Sequence, residues 1–192
     1  MDTMQKYGLK KSQAILLFTQ MLLTILLLVA SVYLLIFVIS NGLGAWMIVS
    51  YIFITLSILA IIVYSIAGYK HGRLAYQLAI IPFLGAIFVN ILLPSRNTFQ
   101  VAVLAILFAL TFVFLLKQDD AKFNQIIAIS MVAVSLVFSC YSAVNADTQF
   151  LGEVSTNWPT YVAMYLSIFI PTIMSGTFAL TCRVHATKQS EK

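Results

Sequence analysis

The chain has 192 residues, 61% of them hydrophobic and only 9% charged, with a formal net charge of +5 and a mean hydropathy of +1.00. A soluble domain carries about 25% charge, so charge this sparse, gathered between long apolar runs, excludes an ordinary globular protein in water and describes a chain whose solvent is mostly lipid. The same composition excludes intrinsic disorder outside the two tails, and no separate soluble domain is expected.

Six uncharged stretches follow one another at 13–40, 45–67, 75–93, 99–116, 123–144 and 159–182, and none contains Asp, Glu, Lys, Arg or His. Each has the length of a membrane-spanning helix, about 17 residues or more at about 1.5 Å per residue, the fourth being the tightest fit. The expectation is an all-α polytopic membrane protein: a bundle of six transmembrane helices forming one domain over 1–192. The first stretch runs 26 residues from Ala14 to Ile39. A signal-peptide apolar region has roughly 7 to 15, so this one reads as an uncleaved first helix.

Most connections are short. The 41–44 turn carries two glycines, and Pro94 stops the third helix in the 94–98 connection. The 68–74 and 117–122 connections are equally brief, with Asp120 placed to cap the fifth helix. Only 145–158 is longer, polar and mildly acidic, and it ends in Trp158 and Pro159, a fitting helix start. It reads first as a solvated connector, and as the place for any recognition outside the membrane.

The basic residues fix an orientation. Lys6, Lys10 and Lys11 precede the first stretch; Lys70 and Arg73 follow the second; Lys117 and Lys122 follow the fourth; Arg183, Lys188 and Lys192 follow the sixth. Ten of the eleven therefore share one side, leaving only Arg96 on the other. Positive residues stay on the cytoplasmic face, so both termini are expected there. Trp46 and Trp158 then fall at outward-facing helix starts, where an indole prefers the headgroup region. A bacterial cytoplasmic membrane suits the compact connections.

Helices in lipid associate through close backbone approach and interhelical hydrogen bonds, so small residues four apart mark expected seams. Such rows are Ser167, Pro171, Ser175 and Ala179 with Thr172 and Gly176 adjoining; Ser135, Ser139 and Ala143; and Ala102, Ala105 and Ala109. The fourth to sixth helices are expected inside, and much of the Leu-, Ile- and Val-rich first helix against lipid. Gly68 and Gly72 have dimer-motif spacing, but Tyr69, Lys70 and His71 lie between them, and a flexible turn is the favoured reading. Pro82 and Pro171 each remove a helical hydrogen bond. Their neighbourhoods are similar enough to raise inverted three-helix repeats, but the spacing to the following glycine and phenylalanine differs, and two unrelated kinks are favoured.

Chemistry has few places to reside. Proton relays, metal sites and haem need ionisable groups at depth, whereas His71 and His185 both fall in cytoplasmic segments. Cys140 and Cys182 lie towards opposite membrane faces, too far apart for a disulfide. Ser175 and Gly176 resemble half of an intramembrane serine-protease motif, but Ile173 stands where that motif needs glycine. There is no phosphate-binding loop, no case for nucleic acid and no cofactor to expect. The residues favour a non-catalytic protein over an enzyme. The first reading is an accessory, immunity or assembly component whose partners are the bilayer and another membrane protein or a second copy. The second is a small carrier or substrate-binding transporter subunit, its small-molecule ligand unspecified, with a site near the kinked third and sixth helices. Its candidate residues are Pro82, Asn90, Pro171, Thr172 and Ser175.

Overall fold

The computed structural model describes residues 11–42, 44–71, 73–93, 96–116, 121–149 and 158–190. Among them there is no strand. Seven helices follow in order: α1 (Lys11–Ser40), α2 (Ala45–His71), α3 (Arg73–Ile91), α4 (Thr98–Leu116), α5 (Ala121–Gln149), α6 (Trp158–Ile168) and α7 (Ile170–Ser190). Within them Met21–Ser40, Thr98–Leu116 and Phe123–Asn145 are long and apolar enough to cross a membrane, and Ala45–Ala60, Ile80–Ile91 and Ile170–Leu180 are shorter apolar segments.

Successive helices fold back on one another, as cross-helix pairs show. Thr55 Oγ1 donates to Ser31 Oγ at 3.3 Å between α2 and α1. Asn90 on late α3 reaches Ser50 on early α2, and Gln100 at the start of α4 reaches Ser142 near the end of α5. The α5 helix packs most extensively against α7, and α6 returns to α1. The shared core draws Leu27, Ile58, Phe83, Leu107, Met131 and Met174 from six helices. Phe178 lies between Phe83 and Phe114, with ring centroids 5.8 Å away on each side.

The helices bury many hydroxyls beside the apolar core and leave many large apolar side chains on the surface. Ser31, Ser50, Ser57, Thr111, Ser135, Ser139 and Ser175 are buried, while Phe18, Val29, Ile36, Leu56, Phe112, Ile126 and Val144 stand on the surface. A protein in water buries its large apolar side chains and exposes most Ser and Thr. Here the hydroxyls turn inward and find partners, commonly the carbonyl one turn back, as Thr111 does with Leu107 O at 2.7 Å.

The turn after α1 needs its glycines. Gly42 and Gly44 have φ of 62° and 94°, left-handed values that a Cβ disfavours. The Asn41 side chain closes the helix end by donating to Phe37 O at 2.8 Å.

Several expectations change. The α2 helix runs to His71, so Gly68 is helical and not part of a loose turn; Gly72 lies outside the described residues. The α5 helix continues to Gln149, five residues past the expected boundary, because nothing from Asn145 to Gln149 breaks a helix. Ala102, Ala105 and Ala109 face the surroundings, while α4 buries Gln100, Val103, Leu104, Leu107, Thr111 and Phe114. In this helix bulky side chains fill the interior and the small row is left outside. The rows on α5 and α7 do turn inward at Ser135, Ser139 and Ser175, but a Cβ added at Gly176 would meet only open space. Asp120, the 150–157 connection and the side chains of Trp158 and Cys182 lie outside what is described.

The two prolines act differently. The α3 helix passes through Pro82 without a break, whereas the sixth apolar stretch is interrupted at Phe169, two residues before Pro171. Pro171 lacks the N–H that would close a turn onto Ser167. The chain tightens instead, with Phe169 N donating to Leu166 O at 3.2 Å. Ser139 Oγ donates to the Ile168 carbonyl at 2.8 Å and lies 2.9 Å from Thr172 Oγ1. A hydroxyl has one proton, so Thr172 donates to Ser139.

Candidate functional site: an arginine-capped cavity

The segment from Arg96 to Gln100 forms the site. Within it, Asn97 and Gln100 cap α4 reciprocally: Gln100 N donates to Asn97 Oδ1 at 2.9 Å, and Asn97 N donates to Gln100 Oε1 at 3.2 Å. This is a capping box in an Asn-x-x-Gln version, which satisfies two backbone donors of a helix start. The same two side chains bind α5, through Asn97 Nδ2 to Tyr141 Oη at 3.0 Å and Gln100 Nε2 to Ser142 Oγ at 3.0 Å. The Phe99 and Tyr141 rings pack with centroids 4.5 Å apart. With α4 anchored and Arg96 N bonded to Leu93 O at 3.1 Å, the Arg96 side chain turns inward.

Its guanidinium sits 5.5 Å from the centroid of the buried Phe138 ring, a cation–π contact. Nη2 donates to Asn90 Oδ1 at 3.0 Å. Asn90 Nδ2 donates in turn to Ser50 Oγ and to Ala86 O, both at 2.9 Å, which fixes the amide with its oxygen towards Arg96. Arg96 Nε is buried without a partner. Burial lowers the guanidinium pKa from its ordinary value, against a smaller opposite pull from Tyr51; arginine still holds its proton at any physiological pH.

These groups line a partly enclosed cavity of about 120 Å³ between α2, α3, α4, α5 and the α6–α7 junction. Ser50, Asn90, Arg96 and Ser142 lie at the end of the molecule that carries the 41–44 turn, and Ile54, Phe83, Leu104 and Met174 continue the wall towards the opposite end. Tyr51 hydrogen-bonds with Ser167 across it. Among the described lining residues none is Asp or Glu.

No family model, no curated protein and no solved structure matches this chain. Its functional reading therefore rests on the cavity itself.

Of the sequence candidates, Asn90 and Pro171 line the cavity. Pro82 is half-buried on α3 outside it, Thr172 is engaged with Ser139, and Ser175 is fully buried with its hydroxyl donating to Pro171 O at 2.8 Å. Sequence reasoning placed Arg96 in the topology count alone and passed over Tyr51, Gln100 and Ser142. The usable signal was the string from Arg96 to Gln100: a lone cation directly before an Asn-x-x-Gln cap and an apolar run. Among the described residues no cluster of His, Cys, Asp and Glu could hold a metal ion.

Proposed function

We propose that the chain is a six-span protein of a cytoplasmic membrane, bacterial in type, that binds a small solute in the Arg96 cavity. It would work as a small carrier or as the substrate-binding subunit of a larger transporter. Both termini are cytoplasmic in this reading, so Arg96 and the 41–44 turn face outward. The apolar surface and hydroxyl-rich interior support the membrane placement, and the helix boundaries agree with six apolar stretches, α6 and α7 together forming the sixth.

The observation that carries the solute-binding reading is a cation with a buried, unpartnered nitrogen in the wall of a cavity among apolar helices. Arg96 belongs to a connection, but its side chain turns in among the helices, where an ionisable group is costly and fits a substrate or ion path. Sequence alone ranks an accessory, partner-dependent role first; we rank solute binding above it on the strength of the cavity. The break at Phe169 adds support, because the α6–α7 junction lines the same cavity, and interrupted helices form the substrate sites of many carriers.

The test is a thermal-shift screen of the purified chain against small metabolites, followed by flux or retention in liposomes. The reading expects at least one saturable ligand whose effect changes in Pro171→Ala. A broad screen without any ligand, together with recovery of a stoichiometric membrane-protein partner, would return the accessory role to first place.

A further inference from the structure

We propose that the solute is a small monocarboxylate with a short apolar tail, its carboxylate on Arg96 and its tail in the deeper part of the cavity. This rests on the solute-binding reading above and names its ligand class.

The charge is selected first. The wall holds one guanidinium and, among the described residues, no carboxylate. Asn90 is used up: both amide hydrogens and the oxygen are engaged, the latter by Arg96. Arg96 has five N–H donors in a planar fork; Asn90 takes one, and buried Nε takes no partner. A carboxylate matches that fork with two parallel bonds. A neutral solute would leave the cation uncompensated in an apolar setting, and an amine would be repelled. A phosphate dianion calls for a second cation, and the described wall residues supply none.

Shape selects the rest. Beyond Arg96 the wall turns apolar at Ile54, Phe83, Leu104 and Met174, and Ser57, which also lines it, already donates its hydroxyl to Phe53 O at 2.7 Å. A halide would leave this part unfilled. An engineered cavity of about 150 Å³ takes benzene, so a volume of about 120 Å³ fits an acid the size of butyrate or isobutyrate.

The experiment is calorimetry and thermal unfolding of the purified full chain with acetate, butyrate, isobutyrate, octanoate, isobutyramide, isobutylamine and inorganic phosphate. The acids are expected to bind saturably and raise Tm, with affinity rising from acetate to butyrate and falling by octanoate as the cavity is overfilled. Loss of the charged hydrogen bonds makes isobutyramide weaker by roughly tenfold or more. Arg96→Gln removes acid binding, and Arg96→Lys, a point charge without the fork, retains a weakened part of it. The chain-length series needs no variant, so it tests the proposal even where Arg96→Gln fails to fold. Equal binding of isobutyramide, or preference for isobutylamine or phosphate, overturns the carboxylate class and leaves solute binding standing. Silence from the whole panel overturns the carboxylate class too. Solute binding itself falls only if the broad metabolite screen is also silent.

Discussion

Arg96 Nη2 donates to Asn90 Oδ1 at 3.0 Å, and the Asn90 amide is locked for that role by Ser50 Oγ and Ala86 O. The arrangement makes Asn90 a positioning residue that aims the guanidinium without neutralising it. Asn90→Asp would convert the contact into an internal ion pair. It is expected to reduce affinity for an added acid by roughly tenfold or more, since the site then carries its own carboxylate, and it loses the amide bonds to Ser50 Oγ and Ala86 O. Asn90→Leu should lower stability, by about 1–3 kcal/mol, because it leaves Arg96 Nη2 without its acceptor and Ser50 Oγ without its donor. Calorimetry and thermal unfolding of both variants separate these outcomes.

Burial lowers the Arg96 pKa, so the charged form carries a desolvation cost in the folded state. For a cation whose folded pKa lies below its unfolded value, that cost applies at every pH below the folded pKa. Arginine stays protonated throughout the physiological range, so the penalty is constant there. The Tm difference between wild type and Arg96→Met without ligand should therefore not vary from about pH 5 to 9. The same variant should gain nothing from butyrate. A stability difference that changes across that pH range would show that another group titrates with Arg96.

A Cβ added at Gly85 would lie 2.7 Å from two atoms of the Phe53 ring, so α2 and α3 approach through a glycine facing an aromatic. Gly85→Ala forces that ring aside and is expected to cost about 1–3 kcal/mol. Combining it with Phe53→Leu should recover part of the loss, as a double-mutant cycle in detergent unfolding would register. Additive losses would place the strain elsewhere.

Ser139 supplies the bond that the interrupted sixth stretch lacks, to Ile168 O, and receives one from Thr172. Ser139→Ala should destabilise the chain by roughly 0.6 kcal/mol, the mean for interhelical hydrogen bonds in membrane proteins, and by no more than about 2 kcal/mol. It should also speed hydrogen exchange around Phe169 relative to mid-α5. Exchange that rises uniformly along α5 and α7 would mean that the junction has no local dependence on Ser139.

Much of the fold was legible because a backbone in lipid must satisfy its own hydrogen bonds, which makes long uncharged stretches helical. The boundaries at Ser40, Ala45, Thr98 and Leu116 fall within a residue of those read from charge and glycine placement. The inward face of α4 was not legible. Small-residue spacing pointed to Ala102, Ala105 and Ala109, but packing chose Leu104, Leu107 and Phe114, because shape fit between neighbours is not written in one helix's spacing. The site was half legible. Asn90 stood out as an amide within an apolar helix, whereas Arg96 looked like a solvated loop residue. Only the Asn97 and Gln100 cap, bonded to Tyr141 and Ser142 forty-two or more positions on, turns it inward.

The most direct test asks whether the Arg96 cavity is reached from outside the membrane. Ser142 lines it and is 6% exposed, while Ala128, on the same helix towards the other end, is fully buried in the core. With Cys140 and Cys182 replaced by alanine, Ser142→Cys should react with a membrane-impermeant methanethiosulfonate applied to the outer face of intact cells. Butyrate should slow the reaction, and Ala128→Cys should stay unlabelled. Labelling of Ser142→Cys confined to the cytoplasmic face, or unaltered by any solute that the screen identifies, would contradict an outward-opening binding cavity.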